Sequence, residues 1–154
     1  QTCALPIFSL GELTYSPTAK AKHLDNAPGV VQLARLTESS QNLFQKVRDA
    51  IGPMKVTSGY RSPALNQAIK GAKNSAHMAG YALDAQPQKT SLQETMRWLA
   101  QSNLQFDQAI LEHGAREGST DDDWIHLAWK LAGSQRQRRQ LLIMENGLYW
   151  PWTP

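Results

Sequence analysis

Cysteine is nearly missing from this sequence. The single one, Cys3, excludes an intramolecular disulfide framework and a cysteine-rich zinc site. Apolar runs are short as well: none approaches the roughly 20 residues of a membrane-spanning helix, so no membrane span is expected. Repeats, low-complexity tracts and linker-like stretches are absent, which argues against a repeat array or several domains. A signal peptide is not legible either. QTCALPI, residues 1–7, has no initiator Met, no basic stretch and no apolar core. It resembles the in-frame translation of a DNA-sequencing adapter. Residues 1–7 are therefore expected to be non-native, with the native chain starting near Phe8 and Cys3 without a role.

What is present describes one soluble domain over residues 8–154. The chain has 154 residues, 41% hydrophobic and 19% charged, enough for a real core in a single domain. The net charge of +3 and pI near 9.1 suit an anionic partner such as nucleic acid, lipid headgroups or bacterial cell wall, without choosing among them. Much of the excess lies in RQRRQ, 136–140. That run reads as a solvated strand edge that discourages sheet-to-sheet pairing, with attachment to wall polymers as a lesser reading. No nucleic-acid recognition motif accompanies it, so nucleic acid is not an expected partner.

Periodicity and punctuation predict helices first and strands later, hence an α+β fold with a small antiparallel sheet and helices packed on it. Ser16 and Pro17 begin a short helix. A second helix is expected from Asn26 as cap, with Pro28 in its first turn and Leu33, Leu36, Leu43, Phe44, Val47 and Ile51 at helical spacing, ending at Gly52. MKVTSGY reads as a strand, and Ser62 and Pro63 open a short helix. Ser91 with Glu94 forms a capping box before another helix. FDQAILEH and WIHLAWK read as strands, and RRQLLIMENGLYWPW as a hairpin turning at Asn146-Gly147.

The chemistry gathers in SAHMAGYALD, 75–84. Read as a strand, Gly80, Ala82 and Asp84 share one face, a carboxylate beside cleared space, with His77 in the loop that feeds it. In WIHLAWK, Ile125, Leu127 and Trp129 take the core side, so His126 faces away beside Ala128. Two histidines and an aspartate can hold one zinc ion and leave a tetrahedral position open, the pattern of catalytic rather than structural sites. Hydrolysis also needs a general base. Asp123 lies three residues before His126 and qualifies only if it is still in the loop. Glu112 qualifies if FDQAILE pairs antiparallel with WIHLAWK, which places it near Trp124 on the His126 face. Both candidates stay open. Arg61, at a turn held by Pro63, is a candidate for substrate carboxylate or oxyanion charge. Ser75 either caps its loop or contacts substrate; Tyr60 and Tyr81 either line the cleft or pack. Asp121, Asp122 and Asp123 lack a calcium-loop pattern and read as a solvated loop.

Taken together, Ser75, His77, Gly80, Ala82 and Asp84, the W-I-H of His126, the arm FSLGELT at 8–14 and SGYRSPALN at 58–66 resemble the zinc D-Ala-D-Ala carboxypeptidase family, peptidase M15-like and phage-associated in its closest features. That group spans bacterial D,D-peptidases and dipeptidases, phage L-alanyl-D-glutamate endolysins and the amino-terminal domain of hedgehog proteins. The resemblance runs from about Phe8 to Trp129. It implies a zinc peptidase acting on peptidoglycan stem peptides, a D,D-carboxypeptidase or an endopeptidase. Its zinc ligands are His77, Asp84 and His126, and Arg61 binds substrate or transition state. The base carries over to Asp123 in some members and to Glu112 in hedgehog-like ones. It further implies a phage-derived monomer, made in a host cytoplasm and acting on the wall. A reading from another class is a zinc-bearing wall-binding or structural module without turnover. A fourth protein ligand such as His113 plugging the site would favour that module.

Overall fold

The computed structural model describes residues 7–113 and 123–154. Cys3, Asp121 and Asp122 lie outside the described residues. No helix among the described residues is long and apolar enough to cross a membrane.

The fold is α+β. Helices α1 (Leu10–Thr14) and α2 (Pro17–Ala21) form an N-terminal arm, each capped by a serine hydroxyl, Ser9 and Ser16. A long helix follows as α3 (Val30–Ser39), a π-helical turn (Ser40–Phe44) and α4 (Gln45–Ile51). It begins later than expected, because Asn26 is not its cap. Asn26 instead donates to the carbonyls of Thr14 and Tyr60 and accepts from Ser62 N, which fastens the arm to the body. Pro28 therefore precedes the helix, and Leu33 stays 42% exposed instead of joining the core. Gly52, at φ 96°, ends the helix in a conformation that side-chain-bearing residues rarely adopt.

Next come β1 (Met54–Ser58), α5 (Pro63–Ala68), the four-residue α6 (Ala76–Ala79), β2 (Ala82–Pro87) and α7 (Leu92–Gln101) with its Ser91–Glu94 capping box. The chain finishes as β3 (Gln108–Glu112), β4 (Trp124–Ala128), β5 (Gln140–Glu145) and β6 (Leu148–Pro151). One six-stranded sheet results, in the order β1-β2-β4-β3-β5-β6. Its two faces differ as strand alternation demands. Leu83, Ala85, Ala109, Leu111, Ile125 and Leu127 join Leu43, Phe44, Val47, Met96 and Leu99 in the core. The residues between them, Asp84, Ile110, Glu112 and His126, belong to the other face.

The sheet is mixed, not wholly antiparallel: β5 runs parallel to β3. The cause lies in the basic run. Arg138 makes a paired bond to the buried Asp107, Nε to Oδ1 and Nη2 to Oδ2, both at 2.7 Å. Arg139 donates to the carbonyls of Leu99, Leu104 and Ser102. With Arg139 N on Phe106 O and Gln140 N on Asp107 O, the start of β5 is pinned beside the start of β3. Arg138 and Arg139 thus hold the fold together instead of merely decorating a solvated edge. The β5–β6 hairpin turns at Asn146 (φ 52°) and Gly147 (φ 75°) as expected.

Candidate metal centre

His77 is placed by a single turn of helix. Ser75 Oγ accepts from His77 N at 3.2 Å, and Gly80 closes the turn in the left-handed region at φ 82°. A Cβ at Gly80 would lie 2.6 Å from Gln32 O, so both backbone angle and space require glycine. Ser39 Oγ, from α3, donates to Gly80 O at 3.0 Å. The strand expected over 75–84 therefore begins only at Ala82, and Gly80 serves as a helix cap, not as a gap beside Asp84.

Asp84 and His126 are directly opposite one another in the β2–β4 ladder. His126 Nδ1 lies 2.8 Å and His77 Nε2 3.2 Å from the same oxygen, Asp84 Oδ1. The three side chains offer ligand atoms that all lie within 4.8 Å of one another. They are 3%, 7% and 9% exposed for His77, Asp84 and His126, deep for three ionisable groups.

Hydrogen bonding around the cluster tests whether a metal suits it. His77 Nδ1 is 2.8 Å from Gly59 O, and a carbonyl can only accept, so Nδ1 carries the proton. Nε2 of the neutral ring then turns a lone pair toward the Asp84 carboxylate. Burial holds the His77 pKa below its ordinary value despite the carboxylate beside it, which favours that neutral ring. Two lone pairs facing each other in a buried site suit a cation between them. Burial opposes the Asp84 charge, but the hydrogen bond from His126 outweighs it and its pKa lies far below the ordinary value. Burial likewise opposes a charged His126, and the bond to Asp84 outweighs it, raising the pKa. The donor set fits a metal with nitrogen and oxygen ligands.

Arg61 reaches the far side of the same carboxylate. Its Nη2 donates to Asp84 Oδ2 at 2.9 Å, and its Nε to Ser58 Oγ at 2.9 Å. The sequence reading offered Arg61 to substrate; in the structure it orients a candidate ligand.

Glu112 and Asp123, the two candidate bases, are separated by the sheet. Glu112 pairs with Trp124 and Ile110 with His126, which puts Glu112 on the cluster's face. It lines a cleft of about 420 Å³ with His126, Ser75, Asn74, Leu142 and Tyr149. Burial pushes the Glu112 pKa up, with the charge of Asp84 adding to it. Asp123 instead lines a second cavity of about 510 Å³ with Leu111 and His113, and its Oδ2 sits 2.7 Å from His113 Nδ1. Asp123 does precede β4, as its candidacy required, yet its side chain turns to His113 and this second cavity instead of the cluster. The larger cavity thus lies away from the cluster, and His113, tied to Asp123, does not plug the site.

Tyr60 and Tyr81 are 5% and 3% exposed, and Tyr60 belongs to the core cluster, its backbone N bonded to Leu13 O at 2.7 Å. Tyr60 is not among the residues that line the cleft beside Glu112. Ser75 caps α6 and also lines the cleft. Tyr149 and Leu142 escaped the sequence reading. Period-two alternation in β5 and β6 would have found them only once β5 was known to lie parallel beside β3.

The sequence model of the peptidase M15 family matches residues 6–128. The chain belongs to the peptidase M15 family. No curated protein matches it. Family membership makes this chain a peptidase. The matched span ends at Ala128, so it includes β1 to β4 and all three residues of the cluster, but not the β5–β6 hairpin that forms one wall of the cleft.

Proposed function

We propose that this M15 peptidase is zinc-dependent and hydrolyses peptide bonds in the stem peptides of bacterial peptidoglycan. One observation carries the reading: His77 Nε2 and His126 Nδ1 converge on Asp84, and His126 lines a cleft together with Glu112. His77, Asp84 and His126 would hold one zinc ion, with a position left for water or substrate. Bound there, zinc would supply Lewis acidity to the scissile carbonyl and the attacking water.

The remaining work belongs to the chain. Gly59 O fixes the His77 tautomer, and Arg61 fixes the Asp84 carboxylate. Glu112 takes a proton from the attacking water and returns it to the leaving amine. Its place on the cluster's face is the reason it is assigned in preference to Asp123. Peptidoglycan as substrate rests on the stretches of sequence that resemble wall-cutting relatives, and the basic pI near 9.1 suits an anionic wall.

The test is digestion of purified peptidoglycan by zinc-loaded protein, with released fragments read by mass and new termini labelled. Fragments cut within the stem are expected, and their masses name the bond. Hydrolysis of unrelated peptides with intact stems would contradict the assignment of substrate.

A further inference from the structure

Tyr149 stands on β6, the edge strand, opposite Met144 of β5, and Met144 stands opposite Glu112 of β3. Partners directly opposite across neighbouring strands point to one face. Tyr149, Met144 and Glu112 therefore form a row on the cleft side. Neighbouring strands lie about 4.8 Å apart, so a tyrosine side chain leaning across one strand reaches most of the way to Glu112. The cavity agrees, since Tyr149, Glu112 and His126 line the same cleft.

The fold makes little use of this residue. Tyr149 is 56% exposed, and its hydroxyl has no hydrogen-bond partner among the described residues. Its neighbours leave a chemical role open. Glu112, once ionised, only accepts hydrogen bonds, and His126 Nδ1 faces Asp84. Arg61 is engaged by Asp84 and Ser58. A phenol adds a hydroxyl donor to this wall of the cleft, and it remains protonated through neutral pH: partial burial, then the charges of Glu112 and Asp84, push its pKa up.

We propose that Tyr149 is a substrate-contacting residue of the peptidase site, its ring forming the cleft wall across from His126 and its hydroxyl donating to a carbonyl of the bound peptide. This rests on the stem-peptide reading above, and the experiment separates the two.

Zinc-loaded E112Q protein is titrated calorimetrically with a synthetic stem pentapeptide, alone and with Y149F or Y149A added. Y149F is expected to weaken binding about fivefold and Y149A more than tenfold. In the active protein, Y149F is expected to lower kcat/KM by a similar factor. Zinc content and melting temperature should stay at the parent's values in both variants. Equal affinities and equal kcat/KM overturn the inference while leaving the stem-peptide reading intact. Losses that come with reduced zinc or a lower melting temperature overturn it too, because Tyr149 would then serve the fold. Should the pentapeptide fail to bind while another peptide is cut, the stem-peptide reading falls. The Tyr149 inference is then decided on that other peptide, and an unchanged kcat/KM in Y149F overturns it.

Discussion

Arg61 and the two histidines hold opposite oxygens of one carboxylate: Arg61 Nη2 is 2.9 Å from Asp84 Oδ2, while His77 and His126 face Oδ1. If Asp84 is a metal ligand, this clamp from behind restrains the carboxylate and keeps Oδ1 turned toward the two histidines.

Removing the clamp should loosen the metal. R61A is expected to weaken zinc affinity by roughly 10- to 100-fold, the usual cost of losing such a partner. R61K should recover only part, because an ammonium cannot reproduce the two directed bonds to Asp84 and Ser58. Competition against a chromogenic chelator measures both. Affinity unchanged in R61A would assign the arginine to substrate instead.

Glu112 predicts a pH effect in the metal-free protein. Its half-buried carboxyl has a raised pKa because it is partly desolvated, with the Asp84 charge nearby. A carboxyl with a raised folded pKa binds its proton more tightly when folded than when unfolded. Its stabilising contribution is thus fully present below the unfolded pKa and lost as pH rises through the folded one. E112Q removes that loss. Urea midpoints of parent and E112Q should diverge as pH rises from 4 toward 7, with E112Q the more stable. Parallel pH profiles would contradict the burial of this carboxylate.

Gly80 joins fold to site. G80A forces a side chain into φ 82° and sets a Cβ 2.6 Å from Gln32 O, so the α6 turn carrying His77 must shift. Destabilisation above about 1 kcal/mol is expected, together with weaker zinc binding, because the same turn positions a ligand. Thermal melts and chelator competition check the two effects separately. A destabilised G80A with unaltered zinc affinity would show that His77 is placed by Gly59 and Ser75 alone.

Much of this was legible in local sequence. Ser91–Glu94, Asn146-Gly147 and Gly52 act through their own backbone, so they declare themselves by type and spacing. Two members of the His77–Asp84–His126 cluster were legible because strand alternation sends Asp84 and His126 away from their apolar neighbours. Other features depend on contacts distant in sequence. The four-residue α6 is too short to show a period. Asn26 looked like a cap but is used across the arm, on Tyr60 and Ser62. The parallel β3–β5 pairing follows from Arg138 finding Asp107, 31 positions away. Tyr149 enters the cleft only through that pairing. The choice between Glu112 and Asp123 turned on one register, Glu112 opposite Trp124.

That choice also supplies the most direct test of the whole account. Zinc content and release of stem fragments from peptidoglycan are measured together for the parent, E112Q and D123N. One zinc per chain is expected in all three, with release lost in E112Q by a factor of at least about 100 and retained in D123N. E112Q protein that keeps its zinc and still cuts at the parent's rate would contradict it.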